Sequence, residues 1–161
     1  MTLDQYNKSV DQYSDNLYRF ILKNIRDEDK ANDVVQDSYE KLWLKVESVS
    51  FEKVKSYLFS TGYHTMIDLI RREKKLTPFD DINNEDYSHN EQFSDLNEIL
   101  HKAINHLPEI QRSVLLLRDY EGYSYEEIGE ITGLNESQVK VYIFRARAFL
   151  KNYIGSLERV L

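Results

Sequence analysis

The sequence predicts an all-α protein of two small helical domains joined by a flexible acidic linker, and three observations support this prediction. Glycine and proline are rare, with five and two copies in 161 residues, whereas residues that favour helices are abundant. Apolar residues recur at helical spacing on both sides of residues 76–98. That segment itself lacks an apolar stripe and contains seven acidic residues but no lysine or arginine. We therefore expect domains at residues 5–75 and 99–158, with a linker at 76–98.

The net charge of −7 arises entirely within the predicted linker. The chain has 28 acidic and 21 basic residues, so removing the seven acidic residues of the linker leaves 21 of each sign. The linker is also rich in Asn, Ser and Asp, a composition typical of segments without a packed core. The remaining chain is electrically balanced, so an acidic total does not exclude nucleic-acid binding by local cationic faces.

The composition also restricts the kind of protein this is. There is no cysteine, so the chain forms neither disulfides nor cysteine-ligated metal sites. The N-terminal segment lacks the apolar centre of a signal peptide, and no apolar run approaches membrane-spanning length. We expect a cytoplasmic protein without direct membrane insertion, with no cofactor, no metal and no small-molecule substrate.

The first half predicts helices with distinct faces. One helix is expected from Val10 to about Ile25, with apolar residues along one side. A second starts at residues 27–30 and runs to about Val46. Opposite its apolar stripe lie Asp33, Gln36, Asp37 and Glu40, followed by Trp43 and Leu44. Trp43 either folds back over a neighbouring helix or anchors a protein partner, since tryptophan is frequent at interface centres.

A third helix is predicted from about Val54 to Lys75, after the loop SVSFEKV. Its inward side includes Gly62, which would let another helix approach closely. Another face carries aromatic, polar and charged residues: Tyr57, Ser60, His64, Asp68, Arg71 and Lys75, with Arg72 and Lys74 nearby. Rings that stack on bases and cations that hold phosphates suit a strand with unstacked bases. An ordinary solvated face has the same pattern.

Residues 124–151 predict two short helices joined by a tight turn. Ser124 and Glu127 form a capping box that satisfies two amides at the start of the first helix. Gly133 ends this helix, because glycine readily adopts the left-handed conformation that such a turn needs. Asn135 then caps the second helix, with Gln138 at the position that reaches back.

The second helix of this pair divides into two faces at helical spacing. Its buried stripe is predicted to be Val139, Ile143, Ala146 and Leu150. Pointing away from the stripe are Ser137, Lys140, Val141, Phe144 and Arg145, with Arg147 and Lys151 at the flanks. A capped pair with a one-sided cationic helix is typical of a helix-turn-helix whose second helix enters the DNA major groove. A helical hairpin with a solvated basic face is the alternative.

Taken in order, these motifs resemble the extracytoplasmic function group of bacterial RNA polymerase sigma factors over nearly the whole chain. In the second half, LPE-x-QR, EG-x-SY-x-EI and VK-x-x-x-x-RAR are similar to sigma region 4. In the first half, ANDVVQDSYEKLW resembles the segment that grips the polymerase clamp helices, and SYLFSTGYHTMIDLIRREKK resembles the promoter-melting segment. The resemblance implies a promoter-specificity subunit without catalysis of its own. Its implied partners are core RNA polymerase, promoter DNA and an anti-sigma factor.

The resemblance also implies roles for individual residues. The core-polymerase-binding positions would be Asp33, Gln36, Asp37, Tyr39 and Trp43. The −10 element would be opened and read by Tyr57, Tyr63, His64, Arg71, Arg72, Lys74 and Lys75, and the loop 48–53 would form a pocket for a flipped-out base. The −35 element would be read by Ser137, Gln138, Lys140, Val141, Phe144, Arg145 and Arg147.

The resemblance has one departure and one further implication. His64 stands where the family usually has asparagine, which implies an altered −10 preference. The acidic linker resembles the family segment that threads toward the polymerase active site. Acidic side chains there can occupy a channel built for RNA phosphates.

Two other functions compete with this one. A stand-alone helix-turn-helix regulator would use the first half for dimerisation or sensing, and it would bind a palindromic site. An enzyme acting on DNA could use Asp33, Asp37 and Glu40, which share a helix face, to hold a metal. Against an enzyme, the four histidines include no pair at the i, i+4 spacing of metal ligands, and we assign no catalytic residue.

Overall fold

The computed structural model describes residues 1–76 and 95–160, and the regular structure of these residues is all helical. This confirms the predicted all-α class. Most of the predicted linker, residues 77–94, lies outside the described residues. Its last four positions do not belong to a linker, because a helix already begins at Asp95. Within the described parts of the chain, no helix is long and apolar enough to cross a membrane.

Three helices form the N-terminal unit: α1 at Leu3–Ile25, α2 at Glu28–Leu44 and α3 at Val54–Leu76, with a short 3-10 turn at Phe51–Lys53 between the last two. The prediction that α1 begins at Val10 was wrong. Thr2 and Gln5 form a capping box in which each residue's backbone amide donates to the other's side chain, at 2.9 and 3.1 Å. This box satisfies two amides and starts the helix at Leu3.

The C-terminal unit comprises α4 at Asp95–Asn105, α5 at Glu109–Leu115, α6 at Tyr125–Thr132 and α7 at Glu136–Val160. A π-helical turn at Leu116–Tyr120 continues α5. The long α7 packs against α4, α5 and α6 and is therefore the central element of this unit.

The core of the N-terminal unit depends on a close approach between α1 and α3 at Gly62. A Cβ atom at this position would lie 2.9 Å from Cδ1 of Leu17, which is fully buried. The prediction that Gly62 lets a helix approach closely is therefore confirmed. Phe20 of α1 and Phe59 of α3 extend the same contact, with ring centroids 5.6 Å apart.

The predicted helix-turn-helix is present with its caps. The amide of Glu127 donates to Oγ of Ser124 at 3.1 Å, and the amide of Ser124 donates to the Glu127 carboxylate at 2.8 Å. Gly133 ends α6 at φ 84°, the left-handed conformation. Gly129 is equally necessary, because a Cβ there would lie 2.7 Å from the carbonyl oxygen of Leu134. Only a glycine lets the turn fold back this closely over α6.

The two units pack directly against each other, a contact that the sequence analysis did not foresee. The side chain of Asn24 in α1 accepts hydrogen bonds from Nε of Arg112 and Oγ of Ser113 in α5, both at 3.1 Å. Phe59 of α3 lies edge-on to Tyr123, which precedes α6, with ring centroids 5.4 Å apart. Buried residues of both units form one continuous hydrophobic cluster. We refer to this packing as the docked arrangement.

Candidate nucleic-acid and polymerase interfaces

The outer face of α7 presents the predicted −35 residues to solvent. Val139, Ile143 and Ala146 are buried on the inner side, as predicted. On the opposite side Ser137, Lys140 and Arg145 are exposed, Val141 is 44% exposed and Phe144 is 74% exposed. The helix therefore carries an accessible surface that combines cationic, polar and apolar groups.

Gln138, another predicted −35 residue, also has a structural role. Its side-chain oxygen accepts from the Asn135 amide at 3.0 Å, and its own amide donates to Oδ1 of Asn135 at 2.8 Å. This reciprocal pair starts α7, as the sequence predicted. It also turns the side-chain oxygen of Gln138 toward the helix start.

Arg147, the last predicted −35 residue, is exposed but forms an ion pair with another side chain of the same unit. Its Nη2 and Nε contact the two carboxylate oxygens of Asp119 at 2.6 and 3.3 Å, a two-point ion pair with the π-helical turn. The hydrogen bond to Asp119 raises the pKa of the Arg147 guanidinium. Asp119 was missed by sequence reasoning, because no helical periodicity or cap signal links it to α7.

Tyr125 connects the two helices of the helix-turn-helix with the turn before them. The guanidinium of Arg118 lies 4.4 Å from the centre of the Tyr125 ring, and Nζ of Lys140 lies 5.6 Å from it. Both cations are within the range of attraction to an aromatic face. Tyr125 therefore orients the side chain of Lys140 at the start of the exposed face of α7.

The predicted −10 face on α3 is only partly accessible. His64 is exposed, and its Nδ1 donates to the carbonyl oxygen of Ser60 at 2.8 Å, while its ring lies edge-on to Tyr63. Tyr63 itself is buried, with 6% of its surface exposed. Burial raises its pKa to about 12, with Glu109 of the C-terminal unit adding to the effect. In the docked arrangement Tyr63 is therefore not available to a ligand.

The C-terminal part of α3 is a cationic surface. The predicted −10 residues Arg71, Arg72, Lys74 and Lys75 are all exposed there. Nε of Arg72 donates to the carbonyl oxygen of Asp68 at 3.4 Å. Glu73, which lies between Arg72 and Lys74 in the sequence, pairs with Lys30 of α2 at 2.5 Å. This ion pair connects α3 to α2 and does not involve any of the four predicted −10 cations.

A cleft with a volume of 510 Å³ lies between the loop 48–53 and α3. This loop was predicted to form a base pocket, and predicted Tyr57 lines the same cleft. The residues around the cleft are Ser48, Val49, Ser50, Lys53, Ser56, Tyr57, Ser60, Glu130 and Ile131. Two of these belong to α6, so in the docked arrangement the C-terminal unit forms one wall. Sequence reasoning missed that wall, because it lies in the other half of the chain.

The predicted polymerase-binding residues on α2 are separated by the structure into two groups. Asp33 and Gln36 are exposed, and Asp37 is partly exposed. Tyr39, in contrast, is buried between α1 and α2, where its hydroxyl donates to the carbonyl oxygen of Ser9 at 2.8 Å. Burial raises the pKa of Tyr39. Tyr39 therefore supports the helix pair from inside and does not lie on the exposed face.

Trp43 folds back against the neighbouring helix α1, and about half of its surface stays exposed. Its ring lies edge-on to Tyr6 of α1, with centroids 5.2 Å apart, yet 49% of its surface is exposed. Leu44 beside it is 82% exposed. The C-terminal end of α2 thus presents a fixed apolar patch next to acidic and polar side chains, an arrangement typical of protein interfaces.

The carboxylates of α2 do not form a metal site. Across residues 1–76 and 95–160, no group of three or more histidine, aspartate or glutamate side chains is arranged to hold a metal ion. Asp37 instead pairs with Lys41 at 4.0 Å.

Comparison with known sequences assigns both halves of the chain. Residues 10–76 match the family described as Sigma-70 region 2, and residues 97–150 match Sigma-70, region 4. The RNA polymerase sigma factor SigV of Bacillus subtilis is 32% identical over 143 residues, which cover 88% of this chain and 86% of that protein. The ECF RNA polymerase sigma factor SigM of the same organism is 29% identical over 156 residues, 94% of each chain.

Comparison with solved structures extends the likeness to the whole fold. The sigma factor RpoE of Bartonella quintana, in complex with the anti-sigma factor NepR, superposes with a TM-score of 0.81 at 26% identity. That match covers 95% of this chain and 98% of RpoE. CnrH, in complex with the cytosolic domain of CnrY, has the same fold, with a TM-score of 0.70 at 23% identity over 94% of this chain and 88% of that one.

Proposed function

Because the chain belongs to the extracytoplasmic function group of RNA polymerase sigma factors, we propose that it is a promoter-specificity subunit that binds core RNA polymerase and directs transcription initiation. The N-terminal unit would act as sigma region 2 and the C-terminal unit as sigma region 4. The relatives are regulatory subunits of a polymerase, and we assign this chain no catalysis of its own.

One observation carries the proposal: the exposed outer face of α7. Lys140 and Arg145 are exposed there, and no acidic residue occurs between Glu136 and Glu158. The caps at Asn135 and Gly133 fix this helix on the rest of the unit. An α-helix of this kind fits the major groove, where cations hold phosphates and other side chains meet base edges. We assign this face to the −35 element.

We assign the −10 element to α3 and the cleft beside it. The cations from Arg71 to Lys75 are positioned to hold phosphates of a melted strand, and Tyr57 is a ring on which a base could stack. The cleft between the loop 48–53 and α3 has serine hydroxyls and Lys53 for the edge of a flipped base. His64, exposed beside it, is the residue we expect to alter the preferred sequence.

We assign core-polymerase binding to the α2 face of Asp33, Gln36, Asp37, Trp43 and Leu44. Half-exposed Trp43, fixed by Tyr6, supplies an apolar anchor, and the acidic residues provide complementarity to a basic partner surface. Alanine substitution of Gln36 should weaken polymerase binding without changing the far-ultraviolet circular dichroism. Asn7→Ala, an exposed change on α1, serves as the matched control.

We also propose an anti-sigma factor as a partner and the cytoplasm as the location. RpoE, which shares the fold over nearly its whole length, is in complex with the anti-sigma factor NepR. The cytoplasm follows from the role itself, since core polymerase and promoter DNA meet there.

Run-off transcription with purified core polymerase tests the proposed function. Core polymerase with this protein should start transcription at specific genomic sites that core polymerase alone does not use. The protein alone should bind duplex DNA weakly, because linked contacts on polymerase and DNA raise each other's effective concentration. Tight binding of the free protein to a palindromic duplex, with no initiation at any genomic promoter, would instead identify a stand-alone regulator.

A further inference from the structure

The outer face of α7 carries two apolar side chains that do not contribute to the protein's own core. Phe144 is 74% exposed and Val141 is 44% exposed, and neither belongs to the hydrophobic clusters of the described residues. The core contacts of this part of α7 are made by Val139, Ile143 and Ala146. Exposed apolar groups that folding does not require are typical of a binding surface.

These two side chains form a pair, because residues three apart are neighbours on one helix face. Cations lie on both sides of the pair: Lys140 precedes it and Arg145 follows it, and both are exposed. Lys140 is oriented by the ring of Tyr125 at 5.6 Å. The surface is therefore suited to a polyanion that presents apolar groups between its charges.

The major groove of DNA provides such groups. Among the chemical features of base edges in this groove, the C5-methyl group of thymine is the apolar one, and alanine, threonine methyl and phenylalanine side chains contact it. Residues three apart on a helix differ by about 4.5 Å along its axis, and base pairs are about 3.4 Å apart. Two methyl groups within one or two base-pair steps would match the spacing of Val141 and Phe144.

We propose that Val141 and Phe144 are specificity-determining residues that read thymine C5-methyl groups in the −35 element. This inference rests on the proposed function and adds the chemical feature that the recognition helix selects. Lys140 and Arg145 hold the neighbouring phosphates, and the apolar pair distinguishes thymine from the other bases. The −35 element of this protein then contains thymine, on either strand, opposite this pair.

Replacement of thymine by uracil tests the inference directly, because uracil lacks only the methyl group and keeps the same hydrogen-bonding edge. Holoenzyme reconstituted from core polymerase and this protein is bound to a promoter found by run-off transcription. Each thymine of the −35 element is replaced in turn. At one or two positions uracil should weaken binding about three- to fivefold, the effect of losing one buried methyl group.

Variants of the protein assign the effect to the pair. Phe144→Ala and Val141→Ala should weaken binding to the thymine promoter and should each remove the difference between thymine and uracil at one position. Phe149→Ala is the matched control, because Phe149 is a 36% exposed phenylalanine on the same helix whose ring lies 5.9 Å from that of Tyr153. Far-ultraviolet circular dichroism should be unchanged in the Phe144 and Val141 variants, since neither side chain is part of the core.

The outcomes separate this inference from the proposed function. If holoenzyme initiates at its promoters but no uracil replacement weakens binding, or if the −35 element contains no thymine, the methyl inference is wrong and the sigma function stands. If Phe144→Ala keeps the thymine preference but prevents binding of an anti-sigma factor, the patch binds protein instead. Failure to initiate at any promoter contradicts the proposed function itself.

Discussion

Gly129 has the tightest local packing requirement of any glycine in the described residues. A Cβ at this position would meet the Leu134 carbonyl oxygen at 2.7 Å, and a backbone atom cannot move aside as a side chain can. We predict that Gly129→Ala lowers the free energy of unfolding by about 1–2 kcal/mol, the cost of overpacking less the better helix propensity of alanine. Urea unfolding followed by circular dichroism measures this change.

Gly155→Ala is the matched control for this prediction. Gly155 also lies within a helix, but a Cβ atom at this position would have no neighbour within 4 Å among the described residues. Alanine should therefore raise the free energy of unfolding by about 0.5–1 kcal/mol through helix propensity alone. Equal stability of the two variants would show that the turn relaxes around Gly129 without cost.

Three buried tyrosines should make the stability of the folded state sensitive to alkaline pH. Burial raises the pKa of Tyr39, Tyr63 and Tyr123, and the hydroxyl of Tyr123 has no hydrogen-bond partner within the described parts of the chain. A group whose pKa is higher in the folded state contributes stability below its unfolded pKa of about 10 and loses that contribution as pH rises. For Tyr63 the loss should extend to about pH 12.

The measurement is the urea midpoint as a function of pH above neutrality. The midpoint of the unmodified protein should fall once pH exceeds about 10. Tyr63→Phe keeps the ring and removes the ionisable hydroxyl, so its midpoint should fall less over the same range. Identical pH profiles for the two proteins would mean that Tyr63 ionises without opposing the folded state.

At the scale of the element, α7 combines the exposed side that we assign to DNA with a fixed attachment to its own unit. The attachment is the ion pair of Arg147 with Asp119 in the π-helical turn, at 2.6 Å. The two side chains are 50% and 37% exposed, so the pair contributes at most about 1 kcal/mol to stability. The pair also connects α7 to the π-helical turn that follows α5.

The salt dependence of promoter binding distinguishes a phosphate contact from this attachment. We predict that Lys140→Ala reduces the slope of log affinity against log salt by about 0.9, the loss of one phosphate contact. Arg147→Ala should lower affinity and leave the slope unchanged, because its guanidinium is already paired. A reduction of the slope equal to that of Lys140→Ala would show that Arg147 leaves Asp119 to bind a phosphate.

At the scale of the whole molecule, the two units are closer together in the docked arrangement than the proposed −10 and −35 contacts allow. Sites at −10 and −35 are about 25 base pairs apart, or roughly 85 Å along B-DNA. In the docked arrangement, by contrast, α3 and α6 are in direct contact, and residues of both units line one cleft. The units must therefore separate before the proposed −10 and −35 contacts are made together.

Asn24 is the polar centre of the docked arrangement, and its substitution tests the contact. Asn24→Ala removes the acceptor shared by Arg112 and Ser113, leaving donors without a partner at a cost of about 1–3 kcal/mol. The single tryptophan, Trp43, reports unfolding of the N-terminal unit, while circular dichroism reports both units. The two transitions should coincide in the unmodified protein and separate in Asn24→Ala.

The control for this experiment is Asn7→Ala, an exposed change on the same helix. In this variant the two unfolding transitions should keep their midpoint and should still coincide. If the two unfolding transitions of Asn24→Ala also coincide and keep their midpoint, the contact between the units contributes nothing measurable to stability. Either result is independent of DNA and polymerase, so it concerns the fold alone.

Local sequence signals predicted much of the fold and of the candidate site. The capping pairs at Ser124 and Asn135 and the left-handed Gly133 follow from chemistry within a few residues, and all three are present. The two faces of α7 follow from the helical repeat in the same way. The start of α1 was missed, although the Thr2 box is also a local signal, because the prediction relied on apolar spacing that begins later.

By itself, the sequence determined the helical class, the helix-turn-helix and the family, because caps, periodicity and motifs depend on neighbouring residues. Only the tertiary structure decided which predicted site residues are accessible. It buries Tyr39 and Tyr63, pairs Arg147 with Asp119 and joins Asn24 to Arg112 across 88 positions. These contacts unite distant parts of the chain through packing and desolvation, and no short-range pattern encodes them.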